Sequence, residues 1–132
     1  MFKEYNPNPS GRSDRMDCVV RALCAVLDKP WRTIYVMLCL WGFRYLTWGN
    51  SDAVWGAYLR SLGWRREVIP NACPDCYTVG DFAAEHPQGK YVLGTGTHAV
   101  AVIDGVVWDT SDSSGAMPIF YYTKDGGDVD AV

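Results

Sequence analysis

The dipeptide Asp104-Gly105 stands between two apolar runs, His98 to Ile103 and Val106 to Thr110. Such a pair closes a two-residue β-turn whose central positions need positive φ, and the turn fixes the register of both strands. Val100 is then expected opposite Asp109, and His98 opposite Ser111. Successive side chains alternate faces, so His98 and Asp109 share a face as diagonal neighbours, roughly 7 Å apart or less between Cβ atoms. Lengthening the turn by one residue would flip the partner strand and bring Asp112 forward instead.

The text changes period around this hairpin. Lys90 to Thr95 and Pro118 to Thr123 are also strand-like, and Trp64 to Ile69 adds a short candidate strand. Before them the pattern is helical. Asp17 stands where a cap belongs for Cys18 to Leu27, a run apolar on nearly every side and therefore expected at the centre of the domain. Pro30 opens a second helix carrying Ile34, Tyr35, Leu38 and Cys39, with Gly42 as its expected end. Ser51 opens a third with the stripe Trp55, Tyr58, Leu59 and Leu62, stopped by Gly63. A fourth, short helix runs from Thr78 to before Pro87. Residues 1–16 read as an extended lead-in broken by Pro7, Pro9 and Gly11, and 124–132 as a loose acidic tail. Helices first and an antiparallel sheet second make an α+β fold, with 1–132 as a single domain.

Composition narrows the function classes. With 132 residues, 48% of them hydrophobic, the chain has material for a core, which argues against overall disorder. Its apolar stretches are broken by Arg21 and Gly42 well short of the ~20 residues that cross a bilayer, so no membrane partner is expected. The N-terminus lacks the apolar segment of a secretory signal, which implies a cytoplasmic protein. Five cysteines are an odd number, and Cys18, Cys24 and Cys39 lie in helical text, so reduced thiols are expected. Residues 1–66 hold ten Lys/Arg and five Asp/Glu, a net +5; residues 67–132 hold two and ten, a net −8. The arginines are scattered, so a nucleic-acid partner is not expected; the split suits two halves that meet across an interior or cleft.

Cys18 is the thiol placed for chemistry. At the first turn of a helix, the free N–H groups and the positive end of the dipole favour a thiolate. Cys24 and Cys39 read as small core residues. An imidazole beside Cys18 would take its proton, and a carboxylate on the other ring nitrogen would fix the tautomer. That assigns nucleophile, base and orienter to Cys18, His98 and Asp109, with Asp112 as the alternative orienter.

Three stretches carry a resemblance to a known group: Asp17-Cys18-Val-Val-Arg-Ala-Leu, Gly96-Thr-His98-Ala-Val-Ala-Val and Trp108-Asp109-Thr-Ser. The chain resembles the papain-like cysteine peptidase superfamily, in particular the C39-like peptidases and the small papain-like proteins of phages and prophages. The transglutaminase core is similar too. The resemblance implies a central nucleophile helix packed on an antiparallel sheet, hydrolysis of a peptide or isopeptide amide, no cofactor and no metal. A peptide or protein is the implied partner and a monomer the implied state; a phage-encoded member would act inside the bacterial host cell. Superfamily members commonly place Gln about six residues before the nucleophile to bind the oxyanion, and Arg12 stands there. The N–H of Cys18 would be one donor, with Asn6, Asn8, Ser13 or Arg12 as the second. That departure keeps two other readings open, a catalytically inactive binding module and an amine acyltransferase of transglutaminase type.

Other features carry less. Cys73-Pro-Asp-Cys76 has the spacing of a zinc knuckle but no second pair, and reads as a loop. Gly94-Thr-Gly-Thr precedes a strand, so a phosphate cradle is not expected; Gly96 would instead let a substrate backbone approach His98. Of the six tryptophans, Trp48 is expected to line a cleft and Trp108 to pack in the core.

Overall fold

Alternation along the second-half strands sorts their side chains onto two faces, and a separate set of helices covers each. The computed structural model describes residues 1–70 and 76–124. In chain order the elements are β1 (Phe2–Glu4), α1 (Cys18–Leu27), α2 (Trp31–Tyr45), α3 (Asp52–Ser61), β2 (Arg65–Val68), α4 (Val79–Glu85), β3 (Lys90–Gly94), β4 (Ala99–Ile103), β5 (Val106–Asp109) and β6 (Phe120–Thr123). One mixed sheet runs in the order β1-β5-β4-β3-β6-β2. Val92, Ala99, Ala101, Phe120 and Tyr122 join the core formed with α1, α2 and α3. Their strand neighbours Leu93, Val100 and Val102, with Val107, pack against Val79, Phe82 and Ala83 of α4. This is an α+β arrangement with helices on both faces.

The hairpin has the expected register: Ala101 pairs with Trp108, Val102 with Val107 and Ile103 with Val106. Asp104 (φ 50°) and Gly105 (φ +78°) supply the two positive-φ positions of the turn. α4 opens with a capping box in which Thr78 accepts from the Asp81 N–H and Asp81 accepts from the Thr78 N–H.

Several expectations need correction. The sheet is not wholly antiparallel, because the lead-in contains β1, which pairs in parallel with β5 and sets Glu4 opposite Asp109. α2 does not stop at Gly42 but continues to Tyr45, ending on Leu46 in the left-handed region at φ 58°. Gly42 serves close approach instead: a Cβ there would lie 2.7 Å from the Thr47 carbonyl oxygen. Leu62 falls past the end of α3 and is partly exposed. Cys39 is exposed rather than in the core: the buried stripe of α2 is Ile34, Leu38 and Gly42, and Cys39 lies beside it on the wall of an open cleft. Cys76 is disulfide-bonded, which overturns the expectation of a wholly reduced set, while Cys18, Cys24 and Cys39 are free thiols. Cys73 and the tail from residue 125 onward lie outside the described residues.

Candidate active site

α1 is buried from Val19 to Val26, and its first residue, Cys18, sits half-buried where helix and sheet meet. His98 immediately precedes β4 and Asp109 ends β5, so the hairpin carries both to the same end of the sheet. His98 Nε2 lies 2.7 Å from Asp109 Oδ2. That leaves Nδ1 for the thiol, and Cys18 and His98 act on each other, each shifting the other's proton affinity. Chain positions 18, 98 and 109 thus form one continuous line of contacts.

The electrostatics follow from these contacts. The Asp109 hydrogen bond, followed by that to Cys18, raises the His98 pKa to about 9 against the opposing effect of burial. Burial by itself pushes the Cys18 thiol up, but the hydrogen bonds from His98 and the Ala99 backbone, with the charges of His98 and Arg21, bring it below its ordinary value. Asp109 is also held below the usual carboxylate range; burial opposes this, and the bonds from His98, Ser113 and the Thr110 N–H outweigh it. A raised imidazole beside a lowered thiol favours the imidazolium–thiolate form, in which the sulfur is nucleophilic near neutral pH.

Behind the triad lies a polar network that sequence reasoning missed. Asp17 stands at the cap position of α1 but its carboxylate does not cap the helix. Its Oδ2 accepts from Asn8 Nδ2 (2.9 Å) and Trp31 Nε1 (2.9 Å), and its Oδ1 accepts from Arg21 Nη1. Arg21 Nη2 reaches Asp109 Oδ1 at 3.4 Å. Asn8, Asp17, Arg21 and Asp109 are all buried, between 4% and 9% exposed, and they make up all but one of the buried polar residues described. The available signal was Arg21 itself, a lone charge inside an otherwise apolar helix.

The remaining candidates divide. Asp112 is exposed and accepts from Ser114, so it does not orient His98. Arg12 is exposed and paired with Asp14, with Nη2 2.6 Å from Oδ2. Asn8 is committed to Asp17 and Ser10, Asn6 donates to the Arg12 carbonyl, and Ser13 is exposed. Gly96 is exposed at φ +100° in the turn before His98, a conformation that favours glycine.

A cleft of about 440 Å³ opens beside Asp17, lined by Met16, Val20, Tyr35, Leu38, Trp48 and Gly49 among others. Trp48, 82% exposed, lies along it as expected. Gly49 fits because a Cβ there would come within 2.8 Å of the Leu38 carbonyl oxygen, so the loop lies directly on α2. A larger hollow of about 860 Å³ adjoins Val26 and Leu27 at the far end of α1. That helix is ten residues long, so the hollow is about 15 Å from Cys18, whereas the smaller cleft lies at the Cys18 end of the helix, lined by Asp17 and Val20 on either side of that residue in sequence. Trp108 is only partly buried, packed on Tyr5 and under the Lys3 ammonium at 4.0 Å.

His86, the other histidine, bonds through Nδ1 to the Phe82 carbonyl and stacks on the Phe82 ring, which is a structural role. Among the described residues no three metal-ligating side chains cluster, and no helix is long and apolar enough to cross a membrane. No family model, curated protein or solved structure matches the chain.

Proposed function

We propose that this chain is a papain-like cysteine hydrolase acting on a peptide or isopeptide amide, in the cytoplasm where it is made. The observation that carries the reading is the line of contacts from a helix-start thiol through His98 to a buried carboxylate. The Cys18 thiolate attacks the amide carbonyl and forms a C–S bond, while the His98 imidazolium gives its proton to the departing amine. Water, deprotonated by His98, then cleaves the thioester and restores the thiol. An amine in place of water would make the same site an acyltransferase. Negative charge developing on the carbonyl oxygen would be met by the first N–H groups of α1, which have no intrahelical partner.

The test is the rate at which iodoacetamide alkylates Cys18 at pH 6, with the exposed Cys39 as internal reference. Cys18 is expected to react faster than free cysteine and to be labelled by an electrophilic amide mimic, and Cys18→Ala to abolish hydrolysis. A Cys18 no faster than free cysteine in the folded protein overturns the proposal. One observation favours a second reading, a binding module without activity: Arg12 and Asn8 are both engaged elsewhere, so neither is a ready second oxyanion donor. Such a module would show no turnover of any peptide pool and no loss of partner binding on Cys18→Ala.

A further inference from the structure

We propose that Arg21 is a positioning residue for the Cys18–His98–Asp109 site, holding the Asp109 carboxylate from behind and binding the nucleophile helix to the hairpin. This rests on the hydrolase reading above and deepens it.

The geometry comes first. Asp109 is 4% exposed, and its two oxygens divide their work. Oδ2 takes His98 Nε2 at 2.7 Å and Ser113 Oγ at 2.8 Å; Oδ1 takes the Thr110 N–H at 2.7 Å and Arg21 Nη2 at 3.4 Å. Occupation of both oxygens fixes rotation of the carboxylate, and hence the direction from which it receives His98. Arg21 sits three residues after Cys18 on α1, so the same rigid helix that carries the sulfur carries this support. Its other nitrogen is anchored on Asp17, which Asn8 and Trp31 hold in turn. The planar guanidinium presents a separate nitrogen to each carboxylate, Nη1 to Asp17 and Nη2 to Asp109, in a fixed geometry that the single nitrogen of an ammonium does not reproduce.

Charge bookkeeping points the same way. The charged and titratable groups around His98 and Asp109 are Cys18 and Arg21 from α1, Asp17 before it, and Glu4 on β1 in register with Asp109. Asp112 in the following loop is exposed and bonded to Ser114. With two buried carboxylates and one guanidinium, the interior carries one excess negative charge, which a protonated His98 neutralises. Without Arg21 the excess doubles, and a thiolate beside it becomes harder to form. A buried ion pair is weak grounds for stability, and here the Arg21 Nε is left with no hydrogen-bond partner among the described residues. Its place is better accounted for by what it does to Asp109 and Cys18 than by what it adds to the fold.

The experiment is the pH profile of Cys18 alkylation by iodoacetamide in the full chain, read by mass spectrometry, for wild type, Arg21→Gln and Arg21→Lys. Far-UV circular dichroism and melting establish that each variant is folded. In Arg21→Gln the apparent thiol pKa is expected to rise by about one unit, which lowers the rate at pH 6 about tenfold, with Cys39 unchanged. Arg21→Lys, which keeps the charge and loses the fork, should fall between the two and serves as the decisive variant if Arg21→Gln does not fold. A folded Arg21→Gln or Arg21→Lys with the wild-type profile overturns the role of Arg21 while leaving the hydrolase reading intact. An ordinary profile in wild type overturns the hydrolase reading itself.

Discussion

At the scale of single residues, three side chains from distant points of the chain meet because each sits at the end of a rigid element. His98 and Asp109 were legible in the sequence: a two-residue turn counted backward through its register places them together without any knowledge of the rest. Arg21 and Asn8 were not, because a charge in an apolar helix reads equally as a solvent-facing residue, and only the packing of α1 against β4 decides otherwise. Removing the base should cost most: His98→Ala is expected to lower kcat/KM by about 10²–10⁴-fold, the usual worth of a positioned acid–base group. Asp109→Asn behaves differently, since its carbonyl oxygen can still accept from Nε2–H. The carboxylate's charge is what that variant loses, and Asp109 is the largest cause of the raised His98 pKa. The alkaline limb of the activity profile should therefore move down from about 9 by about 1–3 units, with a smaller loss at pH 6. Initial rates from pH 5 to 10 decide it, and an unmoved alkaline limb in Asp109→Asn assigns that limb to another group.

At the scale of elements, the helices and the four longer second-half strands were readable from periodicity, and their ends were the weak point. Gly42 illustrates why: glycine as a helix stop and glycine as a point of close approach look identical until the Thr47–Gly49 loop is seen lying on α2. β1 escaped because three residues carry no period, and its pairing with β5 is a parallel contact between distant parts of the chain. The hairpin is the element on which the site depends. Gly105 holds φ +78°, and a Cβ there would come within 3.3 Å of the Ala83 carbonyl oxygen and of Pro87 Cα. Gly105→Ala should therefore destabilise the protein by about 1–2 kcal/mol through left-handed backbone strain, with some added crowding against the end of α4. Denaturant unfolding measures this, and the loss should be matched by a slower Cys18 alkylation as His98 and Asp109 slip from register. Unchanged stability would mean that the turn tolerates a side chain and that register is fixed by strand packing alone.

At the scale of the whole molecule, the basic first half and acidic second half meet where Arg21 of α1 reaches Asp109 of β5. Protonation at that junction is therefore coupled to folding. In the wild type, two effects oppose each other in alkali: His98 has a raised pKa and Cys18 a lowered one. Cys18→Ala separates them, because Asp109, the larger cause of the His98 shift, remains. A histidine that holds its proton more tightly in the folded chain stabilises fully below its unfolded value of about 6.5, and that contribution disappears as pH rises through the folded value. Asp109 works in the opposite sense: its lowered pKa stabilises above the ordinary carboxylate value near 3.8 and is lost as pH falls through the folded one. The melting temperature of Cys18→Ala should accordingly form a plateau between about pH 4.5 and 6.5, falling on both sides, with the alkaline fall running toward pH 9. Adding Asp109→Asn removes the carboxylate from both limbs and should flatten the curve at each end while lowering its plateau. A Cys18→Ala protein that melts at the same temperature at pH 6 and pH 9 would mean that His98 is not held as an imidazolium and that its pairing with Asp109 adds nothing to the stability of the fold.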